Sequence, residues 1–403
     1  MIFLFALYHF NDVDHGSPVI YKLLERGHRV HVVLLDPDYS MESDPRLAML
    51  ARYPRFHISY VQEILGVPYA RFIFKLNLLG PWAKLVYKFR DLLLRSHLSL
   101  ALAKRVLTNI SPDVCVFPWG GIKSQGRSEL TIAAKKLGIK TVVIPHGLSI
   151  FLNSDHNPTR KKHIDLKAHI RQSYNEYDLC VFQSVFHMNQ EIDLGLIAEK
   201  CLVAGSSRYC PEWQAINQDL QNVFVATDRE PNSVKVVFML PHWDYNVDRC
   251  QTLALIKKLA YADWIHLIVK THTRGDDLPD SFEESLFGCK GFEIIDSVNS
   301  VSLIRWSDVV ISFGSSIGLE ALIQRKLFIN PSYLQTNETI FEDSDAGVEA
   351  LNIKQVLSEL EFYRDFRNPP VVLDKNHAVY RTAISGDGEA FDVLERYASL
   401  LEN

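Results

Sequence analysis

The stretch SDVVISFGSSIGLEALIQRKLFIN, residues 307–330, has the pattern of a buried strand, a tight turn, a helix and a second strand. Its first apolar run ends at Phe313, and Gly314 permits the turn. Ser315 and Ser316 then open the helix. Such a turn places backbone N–H groups, two hydroxyls and the positive end of a helix dipole where a phosphate can bind. We therefore expect an α/β fold with a phosphate-binding turn in this stretch.

Two residues further along this helix fit the same interpretation. Gly318 allows the start of the helix to pack closely, and Glu320 is placed to accept hydrogen bonds from ribose hydroxyls. Gly and Ser are also common in any strand-to-helix turn, where Ser serves as an N-cap. The letters also match the G-x-S-x-G elbow of α/β-hydrolases, with Ser316, Asp345 and His377 in an order that permits a triad. The short chain that follows the elbow disfavours a hydrolase.

The alternation of short apolar runs with amphipathic helical patterns extends over both halves of the chain. It predicts parallel sheets that are covered by helices on both faces. We expect an N-terminal domain at 1–205, a C-terminal domain at 206–385 and a closing helix at 386–403. The predicted strands are 1–8, 29–35, 56–61, 113–118, 140–145, 178–182, 200–204, 234–240, 264–270, 292–296, 308–313 and 327–330.

The composition is that of a globular protein without a strong charge excess. Of 403 residues, 47% are hydrophobic and 23% are charged, and 43 Lys and Arg against 48 Asp and Glu give a net charge of −5. Nucleic acid is therefore not an expected partner, because no basic excess attracts its phosphates. No apolar run has the length that spans a bilayer, and the six scattered cysteines suit a reducing compartment. These features predict a cytoplasmic protein.

Two more strand ends carry residues suited to an anionic ligand. The run WIHLIVKTHTRGDD, 264–277, delivers Lys270 and His272 to the end of a buried strand, two residues apart and so on the same side. The run KTVVIPHGLSIF, 140–151, ends a strand at His146, which we expect to face the ligand from the N-terminal domain. Each motif taken alone also suits an ordinary loop.

Three Asp-x-Asp triplets begin at Asp12, Asp36 and Asp343. Such a pair can hold Mg²⁺ against a diphosphate. None of the three ends a predicted strand that faces the phosphate-binding turn, so we interpret them as solvated loops. We expect no metal and no other cofactor.

The segment 71–101 has apolar positions at helical spacing and a basic remainder. One interpretation is a membrane-surface helix, which would bring the protein to the inner face of the cytoplasmic membrane. The alternative is an ordinary helix with one face in the core. We favour the second, because helical periodicity is commoner in cores.

The order of these motifs resembles a known group of enzymes. The residues that carry the resemblance are VAGSSRYCPEW (203–213), the K-x-H at 270–272 and FGSSIGLEA (313–321). The whole chain is similar to GT-B glycosyltransferases of the surface-polysaccharide type. The K-x-H and Ser-Ser elements resemble those of CMP-sugar-using sialyltransferases and Kdo transferases and, more narrowly, the retaining β-Kdo transferase modules of the WbbB type.

The resemblance implies two Rossmann-like doubly wound domains facing a cleft, with the acceptor bound by the first and the donor by the second. It implies transfer of Kdo from CMP-β-Kdo to a hydroxyl of a lipid-linked polysaccharide, in bacterial lipopolysaccharide O-antigen or capsule biosynthesis, with retention of configuration. The donor-binding residues that it implies are His242, Lys270, His272, Ser315, Ser316, Gly318 and Glu320.

Retention by double displacement needs a carboxylate against the anomeric carbon. The family places an Asp in the loop that enters the second domain, whereas this chain has Asn232 there. A neutral amide is a poor nucleophile, so this departure predicts slow turnover, unless Asn232 is only a turn residue. His146 or Asp14 is the candidate base for the acceptor hydroxyl.

Two other functions fit the same architecture. One is a sugar-nucleotide epimerase of the UDP-GlcNAc 2-epimerase type, which needs no acceptor. The other is a glycan-binding module without affinity for nucleotides.

Overall fold

The computed structural model describes two compact units. The first comprises Met1–Leu148, Lys167–Trp213 and Ile384–Asn403, and the second comprises Ser149–Leu166 and Gln214–Ala383. The residues described are 1–8, 10–35, 39, 43–60, 97–120, 127–152, 172–221, 224, 233–272, 277–342, 344, 346–367, 373, 377–386 and 392–403.

The first unit contains a parallel sheet of seven strands. The strands form from apolar runs such as IFLFAL, in which Phe3 to Leu7 are fully buried. Burial of every position in a strand is expected where helices cover both faces of a parallel sheet. In the spatial order of the sheet the strands are β3 (Phe56–Tyr60), β2 (Arg29–Leu34), β1 (Ile2–Leu7), β4 (Val114–Pro118), β5 (Lys140–Ile144), β6 (Leu179–Phe182) and β7 (Cys201–Val203).

The helices of the first unit connect these strands. They are α1 (Phe10–Glu25), α2 (Pro45–Leu50), α3 (His97–Ile110), α4 (Arg127–Lys136) and α5 (Val185–Asp193), with short 3-10 turns at Gln172–Glu176 and Ala198–Lys200. The next helix, α6 (Pro211–Leu220), begins in the first unit and ends in the second.

The second unit contains a parallel sheet of six strands with the same pattern of crossovers. Its core is built from the buried faces of β8, β9 and β11 against α7 and α11. The strands in spatial order are β10 (Phe292–Ile295), β9 (Ile265–Lys270), β8 (Val234–Met239), β11 (Val309–Ile311), β12 (Leu327–Asn330) and β13 (Val348–Glu349). The helices are α7 (Arg249–Ala260), α8 (Asp280–Ser285), α9 (Ser300–Trp306), α10 (Ile317–Ile323) and α11 (Ile353–Phe366), with a 3-10 turn at Ser332–Leu334.

The last part of the chain returns to the first unit. A π-helical turn, Tyr380–Ser385, leads to α12 (Val393–Glu402). The hydroxyl of the buried Tyr397 donates to the carbonyl of Gly205 at 3.0 Å. Lys22 of α1 and Arg26, the residue that follows this helix, form ion pairs with acidic side chains of α12, including a Lys22–Glu395 pair of 2.6 Å. The acceptor and donor roles predicted for 1–205 and 206–385 stay predictions.

All twelve strands expected from the sequence are present, with small differences at their ends. The sequence missed β13, because two residues are too few for a recognisable alternation. The spacing of apolar residues in SPVIYKLLERG predicts a first helix over 17–27, whereas α1 begins at Phe10 and continues through Pro18. Most of the segment 71–101 lies outside the described residues, and its last residues, from His97, form the start of α3.

Candidate functional site

The strand order of each sheet reverses at one place. In the second unit β8 is flanked by β9 on one side and β11 on the other, so that crossovers leave it in opposite directions. Open parallel sheets bind ligands at such a switch point, outside the carboxyl ends of the strands. The loops that follow β8 and β11 are therefore the candidate site of this unit. The equivalent place in the first unit lies between β1 and β4.

The loop after β8 carries His242, whose ring lies between two other rings. It stacks on Tyr245 with ring centroids 4.8 Å apart and meets His272 edge-on at 5.4 Å. Within the loop, the backbone N–H of Asp244 donates to Nδ1 of His242 at 3.2 Å. The structure thus brings His242 and His272, from the ends of neighbouring strands, into one cluster.

Lys270 and His272 reach different neighbours, although the sequence places them on the same side. Nζ of Lys270 donates to the carbonyl of Asp296, after β10, at 2.5 Å. Burial lowers the pKa of Lys270 below its ordinary value, and the charge of Asp296 opposes this shift. His272 instead turns toward the loop after β8. Lys270 therefore braces the end of β9, while His272 belongs to the histidine cluster.

The turn between β11 and α10 has the conformation that its sequence predicts. Gly314 has a φ of +60°, which disfavours residues with a side chain. Oγ of Ser315 accepts from the N–H of Ile317 at 3.3 Å, and Ser316 is the residue before the helix. Ser315 and Ser316 are both half-buried at the carboxyl end of β11, beside the strand that leads to His242.

Gly318 and Glu320 face the interior of the second unit. A Cβ on Gly318 would lie 2.6 Å from the ring of Phe328 and 2.9 Å from that of Phe341, so the glycine lets α10 pack on β12. Glu320 is fully buried and accepts hydrogen bonds from the amides of Gln214 at 3.2 Å and Gln324 at 3.1 Å. Its predicted contact with ribose stays a prediction.

Gln335, which the sequence analysis did not single out, lies against the same turn. Its Oε1 would be 2.6 Å from a Cβ on Gly314, and its backbone pairs with Val247 of the loop after β8. The side chain is 9% exposed, and neither amide atom has a hydrogen-bond partner among the described residues. No motif marks this glutamine, because its position depends on how the loops after β8 and β12 meet.

The first unit has a buried group of charges near the end of β1. Asp14 is 4% exposed and lies between two guanidinium groups. Nη1 of Arg46 is 2.5 Å from Oδ1, and Nε of Arg208 is 2.7 Å from Oδ2. Arg46 also pairs with Asp44 at 2.6 Å. Both oxygens of Asp14 are therefore engaged, and the structure gives it the role of holding two arginines in place.

His15, next in sequence, is buried at 3% exposure and bonds to Gln183, with 3.3 Å between its Nδ1 and the amide nitrogen. Burial lowers the pKa of His15 from 6.5 to about 3, Asp14 opposes the shift, and Arg208 and His146 add to it. The imidazole is therefore neutral near pH 7. His146, two residues after β5, is half-buried and close enough to act on His15 electrostatically.

Several predicted features fall outside the described residues, namely Asn232, Asp345 and the triplets at Asp36 and Asp343. The triplet that begins at Asp12 is described: Asp12 accepts from the N–H of Tyr8 at 2.8 Å, and Asp14 pairs with the arginines. In the described part of the chain no group of three or more His, Cys, Asp or Glu is arranged to hold a metal ion. Over those same residues, no helix is long and apolar enough to cross a membrane.

Two doubly wound parallel-sheet units, each with its switch point, define the GT-B fold that the sequence predicted. No family model matches the sequence, and no curated protein matches it. Solved structures do share the fold. The UDP-GlcNAc 2-epimerase of Neisseria meningitidis is 13% identical with a TM-score of 0.58, over 100% of this chain and 99% of that one.

The UDP-GlcNAc 2-epimerase of Methanocaldococcus jannaschii is 15% identical with a TM-score of 0.54, again over 100% and 99% of the two chains. A putative enzyme of the same kind from Listeria monocytogenes is 11% identical with a TM-score of 0.58, over 96% and 92%. At such identities the likeness establishes the fold, and function has to be argued from the site.

Proposed function

We propose that the chain is a glycosyltransferase that takes Kdo from CMP-β-Kdo and transfers it to a hydroxyl of a lipid-linked polysaccharide with retention of configuration. The observation that carries the proposal is the cluster at the switch point of the second unit. There the rings of His242 and His272, 5.4 Å apart, lie at the ends of β8 and β9, and the Ser315–Ser316 turn follows the neighbouring β11. Of these residues, His272 in the K-x-H element and the pair Ser315–Ser316 belong to the elements on which the sequence resembles CMP-sugar enzymes.

In this proposal the second unit binds the donor. The imidazole of His272 and the hydroxyls of Ser315 and Ser316 stabilise the phosphate as the bond from the sugar to CMP breaks. Lys270 positions the end of β9 through its bond to the carbonyl of Asp296. His242 keeps His272 in place by ring contact.

Double displacement supplies the retention. A carboxylate oxygen attacks the anomeric carbon while the bond to the CMP phosphate breaks, and CMP leaves with the bonding electrons. The acceptor oxygen then attacks the same carbon, the carboxylate is released, and a base takes the hydroxyl proton. We assign the place of the nucleophile to position 232, where this chain has the amide of Asn232 instead of a carboxylate, so the first displacement is slow in this protein. We assign the base to His146, because both oxygens of Asp14 are held by arginines.

Asn232→Asp tests that assignment. If position 232 holds the nucleophile, the substitution raises the rate of Kdo transfer to an acceptor glycan by orders of magnitude and leaves CMP affinity unchanged. Asn232→Gln is the matched control and stays slow. An Asp variant no faster than the parent chain would remove position 232 from the mechanism.

A UDP-sugar 2-epimerase is the second candidate. It is favoured by the fold likeness to three such enzymes, two of them over nearly the full length of both chains. The two activities differ in what they need. An epimerase converts UDP-GlcNAc without an acceptor, whereas a transferase consumes CMP-Kdo only when an acceptor glycan is present. Product analysis of both reactions by mass spectrometry separates them.

The first experiment is thermal unfolding with CMP, UDP, ADP and GDP side by side. A ligand at 100 times its Kd adds about 2.7 kcal/mol to the free energy of unfolding. We expect stabilisation by CMP alone and its loss in His272→Ala. His377→Ala, in a half-buried histidine outside the cluster, is the control. Stabilisation by UDP alone would favour the epimerase, and none by any nucleotide would favour a glycan-binding module.

A further inference from the structure

Gln335 lies at the switch point of the second unit, between the two loops that form the candidate donor site. On one side its amide oxygen fills the space that a side chain on Gly314 would need. On the other side its backbone pairs with Val247, and the N–H of Asp248 donates to the carbonyl of Leu334 at 2.7 Å. The backbone contacts with Val247 and Asp248 fix the main chain around Gln335 independently of its side chain.

The amide of Gln335 is buried, and its two polar atoms form no hydrogen bond with the residues described. The side chain is 9% exposed, and neither Oε1 nor Nε2 meets a partner among the described residues. Gln324 in the same unit shows the ordinary arrangement, because its Nε2 donates to the carbonyl of Val301 at 3.2 Å and to Glu320 at 3.1 Å. A buried amide that makes no bonds costs free energy, which a bound ligand can recover.

Three more polar side-chain atoms at this edge of the sheet are also buried without a hydrogen-bond partner among the described residues. One belongs to the residue after β11, one to the last residue of β12 and one to a residue that follows β12. They are Ser312 Oγ, Asn330 Oδ1 and the hydroxyl of Tyr333. The amide nitrogen of Asn330 does have a partner, because it donates to Glu342 at 2.7 Å. Gln335 is thus one of several residues at the carboxyl edge of the sheet, where ligands bind in this architecture, with polar side-chain atoms that lack a partner in the described part of the chain.

We propose that Gln335 is a specificity-determining residue that binds a hydroxyl group of the sugar nucleotide through both atoms of its amide. The inference rests on the proposed function, because it assumes that this edge of the sheet holds a nucleotide donor. A carboxamide offers one acceptor and two donors. A phosphate only accepts, so it would leave Oε1 unpaired, whereas a hydroxyl both donates and accepts and satisfies the two atoms together.

The hydroxyl belongs either to the ribose or to the transferred sugar, and nucleotide analogues distinguish these sources. Binding is measured by calorimetry for CMP, 2′-deoxy-CMP, 3′-deoxy-CMP and CMP-Kdo, using the whole chain and Gln335→Met, which is similar in volume and cannot form the bonds. If the ribose is the source, the whole chain prefers CMP to one deoxy analogue by about tenfold or more, and Gln335→Met loses that preference. If the sugar is the source, Gln335→Met instead loses the preference for CMP-Kdo over CMP.

The stability of the free protein is the second readout. Because the amide has no partner among the residues that the structure describes, we expect Gln335→Met to unfold at the same urea concentration as the parent chain or a higher one. Gln355→Met is the matched control; its amide oxygen accepts from the N–H of Leu351 at 2.6 Å. This control loses stability and keeps every ligand preference. Gln335→Glu, which keeps the acceptor and loses the donors, replaces the Met variant if that fails to fold.

The outcomes separate this inference from the proposed function. Nucleotide binding with both preferences intact in Gln335→Met would overturn the inference and leave the function standing. So would a marked loss of stability in the free Gln335→Met protein, since it would reveal an internal partner. Failure of the whole chain to bind any of the CMP compounds would overturn both.

Discussion

The two units place different chemistry at equivalent positions of the same sheet architecture. At the end of β1 in the first unit, Asp14 and Arg46 are buried charges that bond to each other and to further charges. In the second unit, the rings of His242 and His272 follow β8 and β9, and the amide of Gln335, beside the turn after β11, has no hydrogen-bond partner in the described part of the chain. Buried polar groups that satisfy one another stabilise the fold, whereas unsatisfied groups at a switch point indicate a ligand.

The largest loss of stability that this comparison predicts comes from substituting Arg46. Arg46→Met leaves the buried carboxylates of Asp14 and Asp44 without their main partner, so we expect the free energy of unfolding to fall by about 3–5 kcal/mol. Urea unfolding followed by circular dichroism measures the change. The partly exposed Arg364, which pairs with its neighbour Asp365 and lies over the ring of Trp264, is the control, and Arg364→Met is expected to lower the free energy of unfolding far less than Arg46→Met does. Equal stability of the two variants would refute a structural role for the Asp14 group.

The second effect is a pH dependence caused by His15. Its pKa is about 3 in the folded protein and 6.5 when unfolded, so the unfolded chain binds a proton first as the pH falls. This contribution to stability is complete above pH 6.5 and is lost toward pH 3, with about 2 kcal/mol lost by pH 5. The free energy of unfolding, measured by urea unfolding at several pH values, should vary less between pH 6.5 and pH 3 in His15→Gln than in the parent chain. His57→Gln, at an exposed position, should leave this pH profile unchanged. A profile unchanged in His15→Gln would show that other groups titrate there.

A third, smaller effect compares glycines of the two units. Gly138 and Gly314 both have positive φ, of +69° and +60°. Substitution of either glycine by Ala therefore lowers the free energy of unfolding by about 1–2 kcal/mol. A Cβ at Gly138 meets nothing within 4 Å, while one at Gly314 meets Oε1 of Gln335 at 2.6 Å. We expect Gly314→Ala to be worse by about 1 kcal/mol, and Gln335→Ala to remove that excess in the double variant. Additivity of the two substitutions would show that the side chain of Gln335 moves aside freely.

The smallest expected change in the free energy of unfolding concerns the partly exposed ion pairs between α12 and Arg26, the residue that follows α1. Arg26 pairs with Glu395 and Glu402, the second at 2.5 Å. Arg26→Gln should lower the free energy of unfolding by no more than about 1 kcal/mol at low salt, and the difference should shrink in 1 M NaCl. A loss that is independent of salt would point instead to packing of the arginine stem.

Most of the fold was predictable because each strand is a local apolar run. The run VVI of β11 and the run IHLIVK of β9 need no knowledge of the rest of the chain to be recognised. The two residues of β13 carry no such pattern, and they are a strand only because β12 lies beside them. The start of α1 was missed because its first seven residues, FNDVDHG at 10–16, lack the apolar spacing of a helix.

The candidate site divides in the same way. His272, Ser315 and Ser316 were predictable, since strand ends and Gly-Ser turns are visible in the sequence. The contact of His242 with His272 and the place of Gln335 against Gly314 depend on loops far apart in the chain. The engagement of Asp14 by Arg46 and Arg208 is of the same kind.

Local apolar periodicity and turn chemistry were thus enough to specify the strands and their alternation with helices, because each acts within a few residues along the chain. The GT-B class was expected from the resemblance of the motifs at 203–213, 270–272 and 313–321 to a known group of enzymes. Tertiary structure alone decided which polar groups are paired and which are not. Asp14 is held by its arginines, and the amide of Gln335 has no hydrogen-bond partner within the described ranges. Hydrogen bonding and burial depend on neighbours in space, which the linear order of residues does not reveal.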